Sequence, residues 1–157
     1  MATTSKASSG MTPMRMAAGA VGLVFLLVGI LGFVPGITTD VDQMTFVGHD
    51  SEAMLLGIFQ VNALHNLVHL LFGVVGVIAA RTTSWARSFL LVGGIIYLVL
   101  WLYGLVIDLD SAANFVALNE PDNWLHLGLG VVMVGLALVL PRERARTGGD
   151  ASSRTAR

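Results

Sequence analysis

The stretch "VNALHNLVHLLFGVVG", Val61–Gly76, carries Asn62, His65, Asn66 and His69 inside an otherwise apolar run, followed by Gly73 and Gly76. At about 100° per residue these six residues fall on one stripe about 100° wide. The spacing Asn-x-x-His occurs three times, as Asn62/His65, Asn66/His69 and Asn123/His126. Residues three apart on a helix are neighbours, so each Asn carbonyl is placed to accept an imidazole N–H and to aim the other ring nitrogen across the bundle. His126, Gly130 and Ala137 share a face with Asn123, and Gly93, Tyr97, Gly104 and Asp108 share another. The expectation is that these faces converge, with His65, His69, His126, Tyr97 and Asp108 in one half of the molecule.

Such a cluster suits three kinds of chemistry. Imidazoles at i and i+4 plus one from another helix can ligate a transition metal or haem, which makes His65, His69 and His126 the candidate ligands. Imidazole also titrates near neutrality, so the group can relay protons in a conduit or hold a small molecule such as a quinone head. Third, imidazole–amide contacts can join helices at about 0.6 kcal/mol each. The structural role is the leading expectation, with no cofactor bound and no enzymatic activity. No nucleophile triad, phosphate loop or intramembrane carboxylate pair is present. The absence of cysteine removes thiolate chemistry.

The elements that must position this cluster follow from hydropathy. The chain has 157 residues, 55% hydrophobic and 12% charged, against about 25% charged in ordinary soluble domains. A bilayer core takes about 20 apolar residues. Four segments qualify: Met16–Val34, Ala53–Ala80, Ser88–Ile107 and Asn123–Leu140. The fold class is therefore all-α, a polytopic four-transmembrane-helix bundle whose partner is the lipid bilayer. A homo-oligomer or a larger membrane complex is the candidate assembly. With a net charge of −1 there is no basic face for nucleic acid. The first segment is too apolar and too long for a cleaved signal, and "PGITTD" follows it rather than a small-residue site.

Helix ends are marked as well. Pro35–Gly36 closes the first helix, Asp50 or Ser51 caps the second, and Pro121 with Glu120 and Asp122 opens the fourth. The polar segments 1–15 and 141–157, the latter basic, are expected to be disordered. Lipid cannot satisfy the polar stripe, so it must face protein or a wet cavity, and the second helix should be the most buried.

"NLVHLLFGVV" (Asn66–Val75) and "NWLHLGLGVV" (Asn123–Val132) match, and "VGLVFLL" from Val21 faintly echoes "VGGIIYL" from Val92. The chain thus reads as two tandem helical hairpins related by an axis along the membrane normal, with His69 and His126 equivalent.

With "LGFVPGITT", "FVGHDSEAMLLGIFQVNALHNLVHLLFG", "YLVLWLYG", "DSAANFV" and "DNWLHLGLG" in view, the chain resembles an actinobacterial family of small four-helix integral membrane proteins, domain of unknown function 4383. The likeness covers Ala17 to Leu140. It implies a plasma-membrane protein of a high-GC Gram-positive bacterium and brings no activity and no functional residues. The leading expectation for the role, made apart from the likeness, is a non-enzymatic accessory or stress-related membrane component.

All nine Lys and Arg lie before the first helix, between the second and third, or after the fourth. Basic short loops stay in the cytoplasm, so both termini are expected there. A reporter active only in the cytoplasm should work when fused after Arg157 and be silent when inserted at Gln43. Activity at Gln43 would reverse the orientation.

Overall fold

The computed structural model describes residues 10–141. Apolar side chains line the outside of its helices while polar ones are hidden. Leu23, Leu27, Leu71, Val92, Val99 and Val131 are exposed, whereas Asn62, Asn66, His65, His69, Asn123 and His126 are buried. Water would favour the opposite arrangement; a bilayer favours this one.

Four helices form the body: α1 (Pro13–Leu31), α2 (Ala63–Ala79), α3 (Thr83–Val106) and α4 (Glu120–Val139). Three of them, α1, α3 and α4, are long and apolar enough to cross a membrane. Helix α2 has 17 residues, or about 26 Å at 1.5 Å per residue, slightly less than a hydrocarbon core of about 30 Å.

That length corrects the expected second helix, Ala53–Ala80. Ala53–Asn62 instead belongs to a small antiparallel sheet of β1 (Thr38–Thr39), β2 (Met54–Leu55) and β3 (Phe59–Gln60). Leu56 and Gly57 turn the hairpin in left-handed conformations, with φ of 55° and 68°. The cap of α2 is therefore Asn62, whose side chain accepts from the His65 backbone N–H at 2.8 Å. Neither Asp50 nor Ser51 caps it; Ser51 is buried and its Oγ donates to the Val61 carbonyl at 2.6 Å.

The remaining ends move less. Helix α1 stops at Leu31 with Gly32 as its cap, before Pro35–Gly36 is reached. It already includes Pro13–Arg15, so the expected 1–15 tail is shorter than its range. Residues 1–9 and the basic 142–157 tail lie outside the described residues. Helix α3 starts five residues before Ser88, at Thr83, capped by Thr82. Pro121, Glu120 and Asp122 occupy the first turn of α4 as expected, and its cap is Asn119 in a capping box with Asp122.

Helix α1 packs chiefly on α2, and α3 chiefly on α4. Glycines allow both approaches. A Cβ at Gly73 would stand 2.6 Å from the Leu26 backbone nitrogen and 2.8 Å from the Gly22 oxygen. A Cβ at Gly94 would stand 2.9 Å from the Val134 nitrogen and 3.0 Å from the Gly130 oxygen. Contact between the hairpins is made mainly by α1 and α3, while α2 has the largest buried share of the four helices, as expected.

The two hairpins are duplicates. Arg15 Nε donates to the Ala80 carbonyl at 2.8 Å, and Arg87 Nε to that of Ala137 at 2.9 Å. This maps α1 onto α3 by 72 positions (87 − 15) and α2 onto α4 by 57 (137 − 80). The same shifts carry Gly22 to Gly94, Gly32 to Gly104, Asn62 to Asn119, Asn66 to Asn123 and His69 to His126. The echo between Val21 and Val92 is thus out of register by one residue. Phe25 maps to Tyr97, and these equivalent rings stack on each other at 5.3 Å where α1 meets α3.

Gly73→Leu must push two backbones apart, so it should lower the unfolding temperature in detergent, at a cost of about 1–3 kcal/mol or more. Gly128 has nothing within 4 Å of an added Cβ, so Gly128→Ala should be neutral or gain up to about 1 kcal/mol. Equal effects of the two substitutions would misplace the interface.

Candidate functional site

Helix starts bring the polar residues together. His65 and His69 stand on the first two turns of α2, and His126 on the second turn of α4. The His65 and His69 rings are 4.6 Å apart, His65 and His126 6.5 Å, and Tyr97 and His126 5.2 Å. Each of the four residues is at most 8% exposed. The expected convergence of His65, His69, His126 and Tyr97 is therefore present. On the side of the basic helix ends it is closed by aromatic rings: Phe25 touches His69, Phe72 and Tyr97, and Phe72 touches Phe89.

Asp108 is not part of it. Helix α3 ends at Val106, so Asp108 lies in the following loop, exposed, and accepts from the Asp110 N–H at 3.0 Å. The carboxyl that is buried at this end is Asp122, held against the Asn119 backbone by the capping box.

The asparagines do not pair with imidazoles. Asn62 is a cap; its amide nitrogen donates to the Gly48 and Phe115 carbonyls, both at 3.0 Å, and so ties the α1–α2 and α3–α4 loops to α2. Asn66 fills the space above Gly32, and Asn123 the space above Gly104, where even a Cβ would collide with the amide. Their side chains are therefore turned toward the partner helix of their own hairpin and away from the histidines. Gly93 makes room for Phe72 and Met133 rather than for the cluster, and Gly76 for Phe89.

The result is a group of polar atoms without partners. Nδ1 of His65, His69 and His126, and Oδ1 of Asn66 and Asn123, are buried and make no hydrogen bond among the described residues. Among the described residues no three His, Cys, Asp or Glu side chains assemble at metal-ligand spacing. The three imidazoles, candidate ligands in the alternative reading, are neighbours without the spacing of a coordination set.

Beside the imidazoles is a partly enclosed cavity of about 390 Å³ between α2 and α3. His65, His69, His126 and Tyr97 line one part of it. Val68, Ile96 and Val99 line another and are exposed on the lipid-facing surface. Phe115, Val116 and Leu118 of the loop between α3 and α4 complete the wall.

That loop is rigidly held. Asn114, fully buried, donates to the Leu109 and Leu118 carbonyls at 2.9 and 2.8 Å and accepts from the Leu118 N–H at 2.7 Å. Ala117 beside it is forced to a φ of 55°, a conformation that disfavours a side chain. Sequence reasoning missed Asn114 and Asn119, and placed Asp122 in the first turn of α4 without its capping box. A usable signal existed for the last two, since Asn119-x-x-Asp122 repeats the spacing of Asn62-x-x-His65. None existed for Asn114, whose partners are backbone groups.

A family model matches residues 15–139, which spans all four helices. The chain belongs to the family described as Domain of unknown function (DUF4383). That membership agrees with the likeness carried by the loop and helix motifs, and attaches no reaction to the cluster. No curated protein and no solved structure matches the chain.

The geometry separates two kinds of polar residue. Asn62→Ala removes a cap, worth about 1 kcal/mol, and strips two carbonyls of a donor at about 1 kcal/mol each. It should cost about 2–3 kcal/mol in detergent unfolding. His69→Phe keeps the ring and removes an unpartnered nitrogen, so it should be neutral or stabilising. A loss as large as that of Asn62→Ala would assign His69 a structural bond.

Proposed function

We propose that the protein is a multi-pass plasma-membrane protein, both termini cytoplasmic, that binds a lipophilic molecule with a polar head group taken sideways from the bilayer. The single observation that carries this reading is the cavity between α2 and α3, open toward lipid and lined by three histidines whose buried Nδ1 atoms have no hydrogen-bond partner among the described residues. Its volume of about 390 Å³ falls in the range of about 300–1,000 Å³ usual for small-molecule sites. A ligand hydroxyl or carbonyl would meet imidazole, which can accept or donate. Its apolar part would rest on Val68, Ile96 and Val99. The role is non-enzymatic and accessory.

The duplication supports this. In the first hairpin Val28 and Leu31 pack under the β-sheet loop, against Ala53, Leu55 and Val61. Their equivalents at a shift of 72 are Leu100 and Tyr103, which line the cavity. One copy of the fold is filled where the other is hollow. A purely structural cluster would satisfy its own polar atoms, and a conduit would need polar groups beyond the ring of Phe25, Phe72 and Phe89.

The test uses the full chain in mild detergent, with decyl-ubiquinone as probe and native mass spectrometry for co-purified lipophiles. Wild type should show a saturable rise in unfolding temperature with the probe, or a retained lipophile. Val99→Trp, which fills the rim, should weaken either signal at least about tenfold, equal to about 1.4 kcal/mol. No retained lipophile and no saturable shift, or equal binding by Val99→Trp, would overturn the proposal.

A further inference from the structure

At the opposite end of the bundle a second groove, of about 300 Å³, lies between α1 and α2. It is lined by Arg15, Arg81, Gly19, Leu23, Val77 and Ala80. We propose that this groove is a binding site for an anionic phospholipid, with the phosphodiester on Arg15 and Arg81 and one acyl chain along Gly19, Leu23 and Val77.

Charge is the first argument. Every described carboxylate lies in or beside the loops at the other end: Asp40, Asp42, Asp50 and Glu52 in the first, Asp108, Asp110, Glu120 and Asp122 around the second. The described basic residues, Arg15, Arg81 and Arg87, are all at this end, and no ion pair joins an arginine to a carboxylate among the described residues. Helices α1 and α3 both begin here with no acidic residue in the first turn. The C-terminal ends of α2 and α4 lie at the same side and offset these dipoles, so the positive field here comes from the arginines. Next to lipid, such a field calls for an anion with an apolar body.

Geometry is the second. Arg15 Nε is fixed on the Ala80 carbonyl at 2.8 Å. This bond immobilises the guanidinium and leaves its terminal nitrogens with no hydrogen-bond partner among the described residues. A planar guanidinium held this way can grip two phosphate oxygens at once. Arg81 follows directly after Ala80, so the second charge is set at the same rim. Below them the absence of a side chain at Gly19 leaves a slot between α1 and α2. A Cβ there would meet only Ala80 Cβ, at 3.5 Å, so backbone packing does not require the glycine. Leu23 and Val77, both exposed, continue the slot toward the membrane interior. The site shares no lining residue with the histidine cavity, so it stands or falls independently of that reading.

The experiment titrates full-length protein in detergent with phosphatidylglycerol, phosphatidylcholine or inorganic phosphate, reading bound species by native mass spectrometry. Wild type should retain phosphatidylglycerol in preference to phosphatidylcholine, and inorganic phosphate should not displace it. Arg81→Gln should weaken phosphatidylglycerol binding about fivefold, the equivalent of about 1 kcal/mol for one basic residue at a membrane surface. Gly19→Leu, which blocks the slot, should weaken it without changing net charge. If that variant does not fold, Val77→Trp replaces it as the slot-blocking test. Equal retention of the two lipids would overturn the proposal. So would displacement by phosphate alone, or undiminished phosphatidylglycerol binding in Arg81→Gln and the folded slot variant.

Discussion

Where Gly22 meets Gly73, and again where Gly94 meets Gly130, two helix backbones come so close that an added Cβ would strike main-chain atoms. In lipid, helices gain little from burying apolar side chains, because the surroundings are equally apolar. Close packing of small residues supplies the association instead. Each of these contacts makes a tight hairpin, and each tight hairpin turns an asparagine into its neighbour: Asn66 into the space over Gly32, Asn123 into the space over Gly104. The imidazoles one turn further on are then left facing the seam between hairpins.

The two hairpins share more than shape. Each uses an arginine near the start of its first helix to satisfy a carbonyl near the end of its second. Each starts its second helix with an asparagine cap. They join through α1 and α3, with Phe25 stacked on its own counterpart Tyr97. Around that axis the copies have diverged. At the third helical position after the asparagine cap one carries His65 and the other Asp122. The α1–α2 loop is long enough to fold a three-stranded sheet over its hairpin; the α3–α4 loop is short and pinned by Asn114.

This divergence is what creates chemistry. A bundle whose two halves were equally covered would bury its histidines without an opening. Because the sheet loop fills one groove and the short loop does not fill the other, a cavity remains beside His65, His69 and His126. The buried Nδ1 atoms of these histidines lack partners among the described residues, and an unpartnered polar atom in an apolar interior is a cost unless something else meets it. The family membership gives the fold a lineage, while the chemical reading rests on this asymmetry.

Much of this was legible in the sequence because the physics involved is local or periodic. Apolar segments long enough for a bilayer, basic residues confined to alternate connections, and a His/Asn/Gly stripe on one helix face depend only on composition and a turn of about 100° per residue. The repeat was visible for the same reason. What stayed hidden was set by contacts between distant segments. The run "AMLLGIFQV" is apolar enough for helix or strand, and pairing of Met54–Leu55 with Thr38–Thr39 decides for strand. That pairing moves the cap to Asn62 and takes one asparagine out of the stripe. Asp108 shares the Tyr97 face only while the helix continues, and it stops at Val106. Asn66 and Asn123 turn away from their histidines because a glycine on the neighbouring helix offers them room, which spacing along one helix cannot reveal. The cavity depends on how two related hairpins are covered by two unequal loops, a property of the assembled bundle that no single segment contains.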